Sequence, residues 1–317
     1  MIRFPEPPKE YRSVVLEETD KSLLQKSDPN LRYVSFSTIA TGGKSLIKSC
    51  KDLHLSRFIC YKTLKPEFAG NKVEQQRLIR EARVSAMLQH PNTIPTYELG
   101  RDRKGNPYFT MKLVHGYTLR ELLDYRERYD LTQLMQVILQ IALCLAYAHK
   151  HGVVHRDIKP ENILVGPYGE VLLLDWGLAK LLPDLIVKRN EEQSGLLTSD
   201  DLTATRAGKP VGTPFYMSPE QVNQESSINH RTDIYSLGVV IYEILCGERP
   251  TRGEKIHEVI QNVLVDIPEK PSSRTESEMP RLLEKIAMRC LEKIPEARFQ
   301  SMDEVVKMLQ QDWGANL

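Results

Sequence analysis

Little in the composition commits this chain to a special environment. Its five cysteines, Cys50, Cys60, Cys144, Cys246 and Cys290, are odd in number, far apart and without a C-x-x-C pair. That spacing argues against a disulfide framework or a zinc site and predicts reduced, mostly buried thiols in a reducing compartment. An excess of one charge is missing too, since 43 Lys and Arg stand against 42 Asp and Glu for a formal net charge of +1. A near-neutral chain gives no electrostatic case for a nucleic-acid or anionic-membrane partner, so recognition has to be local. Long hydrophobic runs are absent as well. The most apolar stretch, Val137 to Ala148, is interrupted by Gln140 and falls short of the roughly 20 residues that cross a bilayer. The first residues, Met1-Ile2-Arg3-Phe4-Pro5-Glu6-Pro7-Pro8, lack the apolar core of a secretory signal, and their prolines would break one. The expectation is a soluble, cytoplasmic protein with no membrane segment in this chain.

What is present is ordinary globular material: 317 residues, 41% hydrophobic and 27% charged, enough for one large bilobal unit or two modest domains. Residues 1–31 are polar and proline-containing, with a short helical stretch around Ser22 to Gln25, and read as an extension, either a tail or a packed strap. From Arg32 to about Met111 the pattern is strand-like, in Tyr33 to Phe36, Ser45 to Cys50 and Arg57 to Lys62. One charged helical run, Val73 to Leu88, interrupts it. After Gly116 the period becomes helical, in Leu119 to Tyr125, Leu131 to His149, Thr232 to Leu245 and Arg281 to Leu291. The expectation is a small sheet with one helix, then a larger helical region.

Chemistry concentrates in His155-Arg156-Asp157-Ile158-Lys159-Pro160-Glu161-Asn162, followed by Asp175-Trp176-Gly177. A base, a phosphate-facing lysine and two hard oxygen ligands in neighbouring loops are the charges needed to move a phosphoryl group from ATP to a hydroxyl. With these motifs the chain resembles the protein-kinase family, in the eukaryotic-like (Hanks-type) Ser/Thr branch common in bacteria, over about residues 32 to 313. The resemblance implies an α+β, bilobal protein-kinase fold over residues 32–317. Its parts would be a β-rich N-lobe with one regulatory helix (32–111), a hinge (112–116) and a mainly helical C-lobe (117–317).

It also implies roles. Asp157 would accept or orient the substrate hydroxyl proton, Lys159 would neutralise the transferring group, and Asn162 and Asp175 would hold Mg2+. Lys62, ending Phe58-Ile59-Cys60-Tyr61-Lys62, would bind the α/β-phosphates of ATP, with Glu81 as its ion-pair partner. The phosphate loop would be Ala40-Thr41-Gly42-Gly43-Lys44-Ser45, in which Ala40 and Ser45 replace the first and third glycines of the family pattern. A side chain at Ser45 restricts how closely such a loop approaches phosphates. Ile47, Cys60 and Leu164 would sandwich the adenine, Met111 would be the gatekeeper, and the Lys112 carbonyl and Val114 N–H would bond the adenine edge. Thr198, Ser199, Thr203 and Thr205 are candidate phosphoacceptors in an activation segment, with Arg156 as the phosphate's partner. Thr213, in Gly212 to Glu220, would position substrate by bonding the catalytic loop. Glu220 would pair with Arg298, and Asp233 would anchor the catalytic loop from a buried helix. Ser85 stands one turn after Glu81, where active kinases place an apolar residue, and so weakens the packing behind the Lys62–Glu81 pair.

The activity implied is ATP- and Mg2+-dependent phosphorylation of Ser or Thr in protein substrates, regulated through the activation segment, with self-association for trans-autophosphorylation. The altered glycine loop supports a second reading, a nucleotide-binding scaffold with weak or no transfer. The complete set of charged catalytic positions opposes it. A small-molecule kinase is disfavoured by Gly212 to Glu220, which is peptide-positioning equipment.

Overall fold

The computed structural model describes residues 32–182, 214–225, 228–275 and 278–313. The extension 1–31, the candidate phosphoacceptors Thr198, Ser199, Thr203 and Thr205, and Thr213 lie outside the described residues. The chain divides into two compact units. One runs to Gly116 and takes in Gly166–Gly169; the other comprises Tyr117–Val165 and the chain from Glu170 onward.

The first unit is a five-stranded antiparallel sheet in the order β1-β2-β3-β5-β4, built from β1 (Tyr33–Thr41), β2 (Ser45–Asp52), β3 (Arg57–Leu64), β4 (Thr96–Arg101) and β5 (Pro107–Met111). Sequential hairpins join β1 to β2 to β3, so local turns alone set most of the register. The register puts Ile47 opposite Lys62, and Lys62 opposite Phe109. Helix α1 (Lys72–Met87) is inserted between β3 and β4. Asn71 caps it, its side chain accepting from the amides of Val73 and Glu74 at 3.0 and 3.3 Å. The helix buries Leu78, Glu81, Ala82 and Ser85, one face at the three- and four-residue spacing of an amphipathic helix. Arg32 ties the sheet together, bonding Asp52 through two nitrogens (3.1 and 3.0 Å) and Glu98 through the third (2.6 Å). Tyr61 stacks on Tyr108 beside it, ring centroids 4.4 Å apart.

The second unit is mainly helical: α2 (Leu119–Asp124), α3 (Leu131–Lys150), α4 (Pro219–Val222), α5 (Arg231–Cys246), α6 (Ile256–Val265), α7 (Arg281–Cys290) and α8 (Met302–Trp313). Two small sheets accompany them, β6 (Tyr117–Thr118), β8 (Ile163–Val165) and β9 (Val171–Leu173) in one, β7 (Val153–Val154) and β10 (Lys180–Leu181) in the other. Helix α3 is longer than its uninterrupted apolar stretch. At 20 residues it is long and apolar enough to cross a membrane by length and composition. Here it serves as a core helix, packed against α5 and α8, with Ile138, Ile141 and Leu145 fully buried. An Asp130/Gln133 capping box starts it. Helix α5 is buried on all sides from Thr232 to Leu245. Gly238 makes this feasible, because a Cβ there would stand 2.4 Å from Cys290 Cβ on α7. None of the five thiols is in a disulfide, and four are buried.

Candidate active site

In the second unit, a buried side chain on α5 fixes the backbone of the loop that carries His155 to Asn162. Asp233, fully buried on α5, accepts from the amides of His155 (2.9 Å) and Arg156 (2.8 Å) and bonds His149 Nε2 (2.7 Å). Burial alone would raise its pKa. The hydrogen bond and charge of His149, with the loop amides, outweigh that and hold it below the ordinary aspartate value. Arg156 is consequently pinned at φ +69°, a conformation that non-glycine residues seldom adopt. Two further ties reach the same residue: its Nε donates to Leu178 O at 2.6 Å, and Gln221 Nε2 donates to its carbonyl at 2.8 Å. His155 has no exposed surface, bonds Leu174 O through Nε2 at 3.0 Å, and packs edge-on to Trp176 with centroids 4.5 Å apart.

On that frame the polar side chains converge on Asp157. Lys159 Nζ donates to its Oδ2 at 2.7 Å, and Asn162 Nδ2 donates to its Oδ2 (3.0 Å) and its carbonyl (2.8 Å). With the amide nitrogen committed to Asp157, the group Asn162 can offer a hard cation is its amide oxygen. The Leu174 amide donates to Asn162 O at 2.8 Å, which brings the next residue, Asp175, into the same neighbourhood. Asp175 has φ +61°, and its carboxylate accepts from the Gly177 amide at 3.3 Å. A carboxylate on Asp175 and an amide oxygen on Asn162 are hard-oxygen donors of the kind that suits Mg2+, a cation that normally keeps water or phosphate oxygens for its remaining positions. Among the described residues no cluster of three or more His, Cys, Asp or Glu could form a self-sufficient metal cage.

Glu220 and Arg298 form a two-pronged pair at 2.8 and 2.9 Å, both buried. The remaining guanidinium protons go to the carbonyls of Arg231, Glu292 and Lys293 at 2.7 to 3.1 Å, and Thr232 donates to Glu220 Oε1 at 2.8 Å. Burial would raise the Glu220 pKa, but the hydrogen bond and charge of Arg298 bring it below the ordinary carboxylate value. A pair this fully satisfied fixes where the chain after Thr213 joins the helical core.

The first unit carries the rest of the charge set. Lys62 Nζ lies 2.5 Å from Glu81 Oε1, both side chains about nine-tenths buried. Ser85 is also buried on that helix face, and the pair is closed beside it. Cys60 pairs with Met111 across β3 and β5. Burial pushes its thiol up to about 12, and a hydrogen bond from the Val114 backbone opposes the rise. The Lys112 amide bonds Pro95 O at 2.9 Å. Ala40 faces Ile47 across the β1–β2 hairpin, whose turn is closed by the Gly42 amide on Ser45 O at 2.9 Å. Ser45 Oγ occupies the space over Gly42, 3.0 Å from where a Cβ would sit. Lys44 ties the turn to α1 through Glu74 at 2.6 Å. Leu164, on β8 opposite Leu172, belongs to the second unit.

Sequence reasoning missed a second polar cluster in the helical unit. Arg120 donates to both carboxylate oxygens of Glu243 (3.0 and 3.1 Å), to Tyr216 OH (2.5 Å) and to Glu161 (3.2 Å), and Tyr216 OH donates to Glu243 at 2.6 Å. The only available signal was the position of Glu161, next to Asn162. Nothing in the chain near Arg120 or Glu243 marks them as partners.

Comparison with known proteins bears on what these residues do. A protein kinase domain model matches residues 33–313. The serine/threonine-protein kinase PknD of Protochlamydia amoebophila is 33% identical, the match covering 88% of this chain and 29% of the relative. PknD of Chlamydia trachomatis is 32% identical over 88% of this chain and 31% of its own length. A probable serine/threonine-protein kinase of Clostridium acetobutylicum is 32% identical, over 88% and 39% respectively. The chain thus spans about a third of the length of these curated relatives.

Proposed function

The chain belongs to the protein kinase family, and we propose that it transfers the terminal phosphoryl group of ATP to serine or threonine hydroxyls of protein substrates. The observation that carries this reading is the geometry at Asp157. A carboxylate bonded at once by Lys159 and Asn162, on a loop whose amides are fixed by Asp233, is oriented in advance for proton transfer.

In the proposed reaction the substrate hydroxyl oxygen forms a bond to the γ-phosphorus while the bond from that phosphorus to the β–γ bridging oxygen breaks. The products are a phosphoester and ADP. The hydroxyl proton passes to the Asp157 carboxylate, and Lys159, already at that carboxylate, balances charge on the transferring group. Asn162 and Asp175 would hold Mg2+, which when bound neutralises phosphate charge. Lys62, kept in place by Glu81, would meet the α/β-phosphates. Regulation through Thr198, Ser199, Thr203 or Thr205 and a second copy acting in trans belong to the same proposal, as does a cytoplasmic setting, in keeping with the odd number and wide spacing of the cysteines.

The test is transfer from labelled ATP with magnesium, run beside Asp157→Asn, with modified positions mapped by mass spectrometry. Label on Ser or Thr that disappears in the variant is the expected result. No label on the chain itself or on any peptide in a broad panel, despite ATP binding, would overturn it.

A further inference from the structure

Apart from the Glu220–Arg298 pair and the residues assigned to phosphoryl transfer, the helical unit gathers a further polar cluster around Arg120. Its shape is that of a cation site. Two carboxylates, Glu243 on α5 and Glu161 in the catalytic loop, and the Tyr216 hydroxyl converge on one guanidinium, with four contacts of 2.5 to 3.2 Å. The inner end is closed, since Glu243 is 5% and Tyr216 4% exposed. The outer end is open, with the Glu161 side chain 44% and that of Arg120 27% exposed. That outer end belongs to the catalytic loop. Glu161 is the residue before Asn162, whose side chain is bonded to Asp157. Tyr216 ends the Pro214–Tyr216 turn, in the stretch read as positioning a peptide, and Ser236 Oγ holds its carbonyl at 2.7 Å.

An acidic pocket with its mouth beside the catalytic base would capture a basic side chain of an incoming peptide, because a desolvated carboxylate pair without a cation is strongly unfavourable. Here the chain supplies that cation itself. We propose that Arg120 is a specificity-determining residue: it fills an acidic substrate subsite, so the protein takes peptides without requiring a basic residue near the acceptor, and its removal creates a site for Lys or Arg. The hydrogen bonds to Glu243 more than offset the burial that would weaken its charge, so the occupant remains a cation throughout the working pH range. This rests on the reading of the chain as a peptide-directed kinase.

The experiment measures selectivity, which a purely structural bracket would leave unmoved. A set of Ser peptides differing only in carrying Arg or Gln at one position near the acceptor is assayed for binding by fluorescence polarisation and for transfer, in wild type and Arg120→Met. Wild type is expected to bind and phosphorylate each pair alike. Arg120→Met is expected to favour the Arg peptide at some position by about tenfold or more, with the preference lost in Arg120→Met/Glu161→Gln. If Arg120→Met proves too unstable, Arg120→Ala in a peptide-saturated melting assay gives the same comparison, as a larger rise in Tm with the Arg peptide. A wild type that already prefers Arg, with the preference lost in Glu161→Gln, would overturn the proposal, as would a folded Arg120→Met that still treats the pairs alike. Binding reads the subsite directly, so a chain that transfers nothing yet shows the switched binding preference would refute the kinase reading while leaving the subsite intact.

Discussion

The catalytic loop of the helical unit and the β1–β2 hairpin of the sheet unit are both assigned to the phosphate end of the reaction, and they are held in opposite ways. The loop is overdetermined: two amides on one buried carboxylate, a histidine on the same carboxylate, and two side chains on Asp157. The hairpin turn rests on a backbone bond within itself, on the Lys65 amide donating to Lys44 O at 2.9 Å, and on the Lys44 side chain, 45% exposed where it meets Glu74. Burial makes the first set costly to break, and solvent makes the second cheap to exchange. The loop is therefore a rigid element of its own unit and the hairpin turn an adjustable one of the other.

The contrast breaks most readily at Asp233. Asp233→Ala leaves two buried amides and His149 without their acceptor and should cost about 3–5 kcal/mol of stability, together with all measurable transfer. Chemical denaturation beside the labelled-ATP assay checks both. Asp157→Asn should lower transfer by roughly 10²–10⁴-fold with Tm nearly unchanged, separating chemistry from scaffold. Glu81→Gln should cost about 10²-fold in transfer by releasing Lys62, and a calorimetric ATP titration would show how much of that is binding.

Acid sharpens the same comparison. Glu220 and Asp233 both have pKa values lowered by folding, so the unfolded chain binds more protons. Their stabilisation is complete above the ordinary carboxylate values and disappears as pH falls through the folded ones. Acid unfolding of the helical unit should follow, with a shallower acid limb in Glu220→Gln, measured by circular dichroism against pH. The smallest effect is expected for Lys44→Ala, about 0.2–1 kcal/mol and a few-fold rise in KM for ATP, mimicked in wild type by high salt. A Lys44→Ala effect as large as that of Asp233→Ala would show that the hairpin is as rigid as the loop.

Much of the fold was legible because it is local. The short apolar, aromatic-rich run Phe58 to Tyr61 between Arg57 and Lys62 and a three- and four-residue apolar spacing in Val73 to Leu88 mark β3 and α1 whatever surrounds them. Helices α6 and α8 were not read, although their apolar residues recur at helical spacing, Val259 and Val263 in Ile256–Val265 and Met302, Val305, Val306 and Leu309 in Met302–Trp313; these are the faces buried against α4, α7 and α3. Helix α3 was legible almost to its ends, since the helical period from Leu131 to His149 meets an observed Leu131–Lys150 capped by Asp130. The Arg32–Asp52–Glu98 clasp was invisible for another reason, as its members lie on different strands.

By itself the sequence determined which chemical groups are available and, within contiguous motifs, their order: Asp157, Lys159 and Asn162 sit within six residues, so the loop that bears them delivers them together. Outside the family motifs, only the tertiary structure decided which distant charges are spent on one another. Arg120 and Glu243 are 123 residues apart, and Arg32 and Glu98 are 66 apart. In sequence each is one more charge among the 85 Lys, Arg, Asp and Glu of the chain. Folding singles them out because a buried charge must find a partner, whereas an exposed one has water.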